Sequence, residues 1–160
     1  MSTDSSPNAL IIEAELMPLI RERLAAGQRV RYLPFRGVSM LPMLRQGIDT
    51  VELAPLPEQL SKYDLPVYQY PSGKYVMHRV IGVKEDHYIC LGDNTYEYEY
   101  IRQDQMIGLV SAFKRGNRRI EVTSAAYQAY SRIWVVSYPL RKWLRKGKQF
   151  LKQILRRILK

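Results

Sequence analysis

Residues 75–93 read YVMHRVIGVKEDHYICLGD, two apolar runs rich in valine, isoleucine and tyrosine on either side of a charged segment. Short runs of this composition, bounded by Gly, Pro, Asp and Asn, are typical of β-strands joined by turns. Five similar runs lie outside this stretch: RVRYLPF (29–35), TVELAPL (50–56), LPVYQY (65–70), IGLVSAF (107–113) and RRIEVTS (118–124). The sequence therefore predicts a mainly antiparallel β domain over residues 30–124.

Helical patterns flank the β domain on both sides. Residues 1–29 combine a polar lead with a short helix that should end near Gly27. Residues 125–160 form a helical tail with one apolar and one basic face. The apolar face comprises Trp143, Leu144, Phe150, Leu151, Ile154, Leu155, Ile158 and Leu159. We therefore expect three regions, with the β domain in the middle.

The positive charge of the chain is concentrated in its C-terminal part. The formal net charge is +10, but residues 114–160 contain 14 Lys and Arg against Glu121 as the only acidic residue. Such asymmetry indicates an anionic partner. Because the basic helix also carries Trp, Phe and Leu on one face, we expect it to lie on an anionic membrane surface rather than on nucleic acid. The alternative is that this apolar face packs on the β domain.

The composition also narrows the chemistry. Cys90 is the only cysteine, which excludes an intramolecular disulfide and a metal site built on thiolates. Two histidines are too few to indicate a metal centre, so we expect no cofactor. The N-terminus lacks a basic region, and Glu13 and Glu15 interrupt its apolar stretch. This pattern predicts neither a secretion signal nor a membrane span. Together with the basic helical tail, it predicts peripheral attachment at the cytoplasmic face.

The first candidate for chemistry is Ser39, in the string GVSMLPML (37–44). Gly37 permits an unusual backbone angle or a close approach just before the serine. Pro42 opposes helix formation just after it. A serine in this setting could project its hydroxyl into an apolar groove as a nucleophile, although most serines are solvated or cap a neighbouring element.

The second candidate is His78, inside the apolar run YVMHRVIGV. Histidine is suited to act as a general base at neutral pH, and a serine nucleophile needs such a base within hydrogen-bond reach. The alternative is a core histidine bonded to the backbone. His87 lies in the charged segment KEDHY and is expected at the surface.

The third string is GDNTYEYEY (92–100), which begins with a turn signal. Asp93, Glu97 and Glu99 are candidates for orienting the histidine, as the acidic member of a catalytic triad does. For Asp93, an Asx turn that holds the local backbone is the favoured interpretation.

Taken in order, these strings resemble the signal peptidase I superfamily of serine peptidases over about residues 32–113. The resemblance lies in Ser-Met-x-Pro-x-Leu, then His-Arg-Val, then Gly-Asp-Asn, and a trailing Ile-Gly-Leu-Val at 107–110. Bacterial members commonly have lysine where this chain has His78. The chain is therefore similar to the Ser/His variant of ER-type and archaeal signal peptidases, whose fold is the antiparallel β catalytic domain shared with LexA-type proteins.

The resemblance implies a role for each matching residue. Ser39 would be the nucleophile, its backbone N–H an oxyanion donor, and His78 the general base. The acidic residue that completes the triad follows the Gly-Asp-Asn box, so Glu97 or Glu99 would stand in for the usual aspartate. Apolar substrate pockets beside the serine would be lined by Tyr32, Phe35, Met40, Leu41, Pro42 and Met43, unless these side chains belong to the core.

The implied activity is cleavage of signal or leader peptides through an acyl-enzyme. Two alternatives remain at this stage. One is a LexA-type self-cleaving regulator, which normally pairs serine with lysine and carries a DNA-binding unit ahead of the catalytic domain. The other is an inactive module on the same fold that binds a membrane or nucleic acid, although a pure binder has no need for the Ser39/His78 pair.

Overall fold

The computed structural model describes residues 7–34, 37–45 and 47–147, with side chains from residue 15 onward. Nine strands within these residues form two antiparallel sheets. A helix, α1 (Pro7–Ala25), precedes them. Two helices follow them, α2 (Ala125–Val136) and α3 (residues 138–147). The prediction of a mainly antiparallel β body between terminal helices is confirmed.

The strands of the larger sheet are β1 (Val30–Tyr32), β2 (Thr50–Ala54), β3 (Pro66–Gln69), β4 (Tyr75–Met77), β8 (Met106–Arg115) and β9 (Arg118–Glu121). Their order is β1-β2-β8-β3-β4, and β9 also pairs with β8. The strands of the smaller sheet are β5 (Arg79–Val83), β6 (Tyr88–Leu91) and β7 (Glu99–Ile101), in the order β5-β6-β7.

Two elements differ from the sequence prediction. The run YVMHRVIGV is not one strand, because it divides at His78 into β4 of the larger sheet and β5 of the smaller one. Strand β7 was not predicted, although Glu and Tyr alternate through residues 96–100 with the period of two that a strand requires. Both differences concern the residues that form the candidate site.

The core has two parts, one for each sheet. Met17, Ile20 and Leu24 of α1 pack with residues of the larger sheet and with Met40, Met43 and Leu44 of the Ser39 loop. A second cluster joins β3 to the smaller sheet and includes Tyr68, Val80 and Cys90. Helix α1 continues through Pro18, and Gly27, with a φ of 77°, follows its end as predicted.

The predicted C-terminal helix is divided in two. Ser137 ends α2, and Pro139 lies in the first turn of α3, where its missing N–H costs no helical hydrogen bond. The described part of α3 stops at residue 147, so the apolar residues predicted from Phe150 onward lie outside the described residues. No helix in the described part of the chain is long and apolar enough to cross a bilayer.

Candidate active site

His78 lies where the chain leaves the larger sheet and enters the smaller one. Met77 pairs with Val67 in β3, and Arg79 pairs with Leu91 in β6. Because the chain changes sheets at this point, residues 77–80 are all buried, and His78 is only 4% exposed. The crossover holds the imidazole between the two core clusters.

One side of the imidazole is bound to an acidic residue. Glu99 is the first residue of β7 and pairs with Cys90 of β6. Its Oε2 lies 2.8 Å from His78 Nδ1. The hydroxyl of Tyr68 donates to the same oxygen and lies 3.2 Å from Nδ1. Of the two glutamates considered from the sequence, Glu99 is the one that reaches His78, whereas Glu97 is exposed.

The environment of Glu99 keeps its carboxyl group ionised. Burial raises the pKa of Glu99, but the hydrogen bond and charge of His78, together with the Tyr68 hydroxyl, lower it further than burial raises it. Burial and the neighbouring charges raise the pKa of Tyr68, so this phenol stays protonated and donates. Since the carboxylate accepts at Nδ1, the tautomer of a neutral ring that fits this contact has its proton on Nδ1 and leaves Nε2 as the acceptor.

The opposite nitrogen, Nε2, is buried and has no hydrogen-bond partner among the described residues. It faces Gly92, where an added Cβ would lie 2.9 Å from Nε2 and 2.8 Å from the backbone oxygen of Ser39. The space at Gly92 between the imidazole and the Ser39 backbone is therefore too small for a methyl group. Only glycine fits at this position without a shift of its neighbours.

The turn that begins at Gly92 fastens the Ser39 loop. The backbone N–H of Asn94 donates to the Ser39 oxygen at 2.7 Å, and its side-chain amide donates to the Val38 oxygen at 3.0 Å. Thr95 closes the turn by accepting from the Gly92 N–H at 2.9 Å. No described residue accepts a hydrogen bond from the backbone N–H of Ser39. The turn thus fixes the backbone of Ser39 across Gly92 from Nε2, and the Ser39 hydroxyl forms no hydrogen bond with that nitrogen.

Asp93 is not placed at the histidine. Its carboxylate forms a two-point ion pair with Arg79, with Nε to Oδ1 at 2.9 Å and Nη2 to Oδ2 at 2.8 Å. Tyr130 donates to Oδ2 at 3.2 Å. The Asx-turn interpretation is also wrong, because Thr95, not Asp93, supplies the side-chain bonds of this turn. Arg79 directly follows His78, and Asp93 directly follows Gly92. Their ion pair therefore holds the two segments of the site against each other.

Sequence reasoning missed Arg79, which is fully buried. Its Nη1 donates to Tyr127 at 2.9 Å and to Ser131 at 2.8 Å, both on α2, and its Nη2 contacts Met43 Sδ at 3.0 Å. Burial lowers the pKa of Arg79, but Asp93 raises it by more. An arginine inside an apolar run is the available signal, because a buried guanidinium requires a carboxylate partner.

The C-terminal helices also contact the turn. Trp134 Nε1 and Arg141 Nη1 each donate to the Asp93 backbone oxygen at 2.9 Å. The Arg141 guanidinium lies 3.9 Å from the Trp134 ring centre, and that of Arg145 lies 4.5 Å from the Tyr96 ring. Part of the predicted basic face of the tail therefore packs on the β body beside the site.

The predicted substrate groove is only partly accessible. Tyr32, Met40 and Met43 are buried in the core, which favours the core interpretation for them. Leu41 is half-buried, and Gly37 and Pro42 are exposed. Phe35 lies outside the described residues. Nowhere in the described ranges do three or more His, Cys, Asp or Glu side chains form a group that could hold a metal ion.

Comparison of the sequence with protein-family models and with curated proteins finds no match.

Proposed function

We propose that this chain is a serine endopeptidase of the signal-peptidase type, in which Ser39, His78 and Glu99 act as a triad. The observation that carries the proposal is the two-sided environment of His78. Nδ1 is bound to an ionised carboxylate, and Nε2 is bare, buried and adjacent to the Ser39 backbone. This is the state in which an imidazole can take a proton from a serine hydroxyl.

The proposed reaction proceeds through an ester on Ser39. The Ser39 hydroxyl oxygen attacks the carbonyl carbon of the scissile peptide bond while its proton passes to His78 Nε2. The Ser39 N–H donates to the oxygen that becomes negatively charged. The intermediate collapses to an ester on Ser39, and the leaving amine takes the proton from Nε2. Water then attacks the ester, again with Nε2 as base, and releases the acid product and free Ser39.

The Ser39–His78 hydrogen bond is made in the complex with substrate, as is common for catalytic contacts that are long or absent in free enzymes. Glu99 acts as the orienting group: it holds the proton on Nδ1 and stabilises the imidazolium during each transfer. We propose signal or leader peptides as substrates on the strength of the resemblance of the motifs.

Labelling with a fluorophosphonate serine probe tests the nucleophile. We expect wild-type protein and the Ser72→Ala control, an exposed turn serine, to be labelled, and Ser39→Ala to be unlabelled. Equal labelling of Ser39→Ala, or no labelling of the wild type, would contradict the hydrolase proposal and favour an inactive binding module. Mapping the cleavage of a peptide library then identifies the substrate class.

We also propose that the C-terminal helices rest on an anionic membrane surface. Five apolar side chains on them are exposed: Ile133, Val136, Leu140, Trp143 and Leu144. Ile133, Val136, Leu140 and Trp143 are spaced by three or four residues, and Leu144 lies four residues after Leu140, so the five fall along one stripe of the helices. Arg132 and Lys146 are exposed on the same two helices, and exposed basic residues together with an apolar stripe are typical of a helix that lies at the lipid headgroups.

Vesicle co-sedimentation tests the attachment with Val136→Ser/Trp143→Ser. Each of these side chains is at least 70% exposed, so the substitution should leave the fold intact while lowering partitioning about tenfold or more. Leu19→Ser/Tyr100→Ser, which alters exposed apolar residues elsewhere, is the matched control. Equal loss in the two double variants would contradict attachment through the apolar stripe.

A further inference from the structure

A groove of about 570 Å³ lies between the β8–β9 hairpin and the start of α2. Phe113, Ile120, Tyr127 and Tyr130 supply apolar walls, and Pro42 and Met43 of the Ser39 loop close one end. Its volume is in the range of small-molecule sites. The groove touches neither Ser39 nor His78, so the proposed reaction does not use it.

Three arginines also line this groove, and two of them have no ion-pair partner among the described residues. Arg119 is neutralised by Glu52 at 2.8 Å and by Glu121 at 2.5 Å. Arg115 and Arg118 are exposed on the hairpin. The charge of Arg115 helps to lower the pKa of Asp49, but that carboxylate is already hydrogen-bonded to Arg45. Glu121 also lines the groove, but it is paired with Arg119, so the charges of Arg115 and Arg118 remain for an occupant.

The groove is continuous with the apolar stripe. Ala126 and Tyr130 line it, and Ile133 follows on the same face of α2 at the spacing i, i+4, i+7. Ile133 is 68% exposed, and the stripe runs on to Val136 and Leu140. A ligand that spans both features needs an anionic head and an apolar body. An acidic peptide would match the arginines, but it would leave the stripe uncovered.

We propose that this groove binds the phosphate headgroup of an anionic membrane phospholipid, with its acyl chains against the apolar stripe. Arg115 and Arg118 donate to the phosphate oxygens, as guanidinium groups do in phosphate recognition. The aromatic walls lie at headgroup level, where tyrosine is enriched in membrane proteins. This inference rests on the proposed membrane attachment and specifies the lipid class that it requires.

The test uses the full chain carrying Ser39→Ala, so that binding is read without catalysis. Arg115→Glu/Arg118→Glu is compared with Lys74→Glu/Lys84→Glu, which makes the same change in net charge on two exposed turn lysines. The vesicles are pure phosphatidylcholine or phosphatidylcholine mixed with phosphatidylglycerol. We expect the arginine variant to lose about 30-fold or more in partitioning onto the mixed vesicles. The lysine variant should lose only a few-fold.

Equal losses in the two variants would overturn the proposal, because they would show that net charge rather than the groove determines binding. A soluble acidic peptide that binds the Ser39→Ala chain, and loses binding in the arginine variant while vesicle binding is unchanged, would assign the groove to a peptide and also overturn it. Arg115→Gln/Arg118→Gln repeats the comparison if the charge reversal unfolds the hairpin. Failure of the proposed attachment would look different, because substitution of the apolar stripe would then leave binding to both kinds of vesicle unchanged. Failure of the peptidase proposal is also distinguishable, because the serine probe tests it independently.

Discussion

His78 and Arg79 are consecutive buried residues, and each is bound to an acidic side chain, but the two pairs leave different atoms free. The Arg79 guanidinium donates to Asp93, Tyr127 and Ser131, so each of its nitrogens has a partner. The imidazole of His78 binds Glu99 on one side and leaves Nε2 without a described partner. A fully bonded buried ion pair holds structure, whereas an unpaired buried acceptor points to a role in chemistry. The comparison supports the proposal that His78 and Glu99 take part in catalysis and that Arg79 and Asp93 hold the structure of the site.

The largest expected effect on the cleavage rate comes from replacing His78. His78→Gln should lower kcat/KM by a factor on the order of 10⁴ or more, because the serine loses its base. His87→Gln, on the charged turn beside Asp86, should leave the rate unchanged. Peptide cleavage assays on both variants, with circular dichroism to show that each is folded, make the measurement. Retained activity in His78→Gln would contradict the assignment of His78 as the general base.

The next effect concerns the partner of the imidazole. Glu99→Gln should lower kcat by up to about 10⁴-fold, since an amide can donate to Nδ1 and so move the proton to Nε2. Glu97→Gln is the matched control, because Glu97 is exposed two residues earlier. If the two variants had equal rates, Glu99 would not be the orienting residue.

Asp93 should differ from Glu99 by acting mainly on stability. Asp93→Asn leaves the buried Arg79 charge uncompensated, and removing one member of such a pair costs about 3–5 kcal/mol in the free energy of unfolding. Asp104→Asn, which breaks the exposed pair with Arg102, should cost less than about 1 kcal/mol. Urea denaturation measures both. A large rate loss in Asp93→Asn without destabilisation would mean that Asp93 is catalytic after all.

Gly92 precedes Asp93 in the chain and lies against His78 Nε2. A methyl group at this position should affect the cleavage rate more than the stability of the fold. The new Cβ would stand within 3 Å of both the Ser39 oxygen and His78 Nε2, so these groups must move apart. A displacement of this size can cost about 10²-fold in rate. Steady-state kinetics of Gly92→Ala provide the measurement, with Gly147→Ala in α3 as a control whose added Cβ meets no atom within 4 Å. An unchanged kcat/KM would argue against the proximity of Ser39 and His78 in the reacting state.

The smallest effect is the pH dependence of stability. The pKa of Glu99 lies below its ordinary value of 4.5 in the folded chain, so its folded carboxylate binds protons less readily than the unfolded one. Its stabilising contribution is therefore complete above pH 4.5 and is lost as the pH falls through the lowered pKa. Glu99→Gln should show a shallower decline of unfolding free energy below that pH. Identical slopes in the wild type and the variant would contradict the ionised state of Glu99.

Much of the site lay within reach of local sequence patterns. Ser39 and the Gly-Asp-Asn turn stand in short strings whose residue types specify a turn, and that turn does fasten the Ser39 loop. The choice between Glu97 and Glu99 was not accessible, because it depends on the register of β7 against β6, where Cys90 pairs with Glu99. A shift of one residue would turn Glu99 away from the imidazole.

The partner of Asp93 was hidden for a similar reason. Arg79 is 14 residues away in the chain, and the α2 residues that complete its hydrogen bonds are about 50 residues away from it. No local pattern reports such a contact. The same holds for Trp134 and Arg141, whose residue types indicate an amphipathic helix but not its docking on the Asp93 carbonyl.

The β-rich class, the order of the candidate groups and the charge of the C-terminal part can be inferred from the amino-acid sequence, since they depend on composition, alternation and turn residues. The folded chain was needed to show that His78 lies at a crossover between sheets, that Glu99 rather than Asp93 binds it, and that Arg79 is buried against α2. Burial and ion pairing depend on which distant segments meet. Hydrophobic patterning states that a residue is covered, but not which side chain covers it.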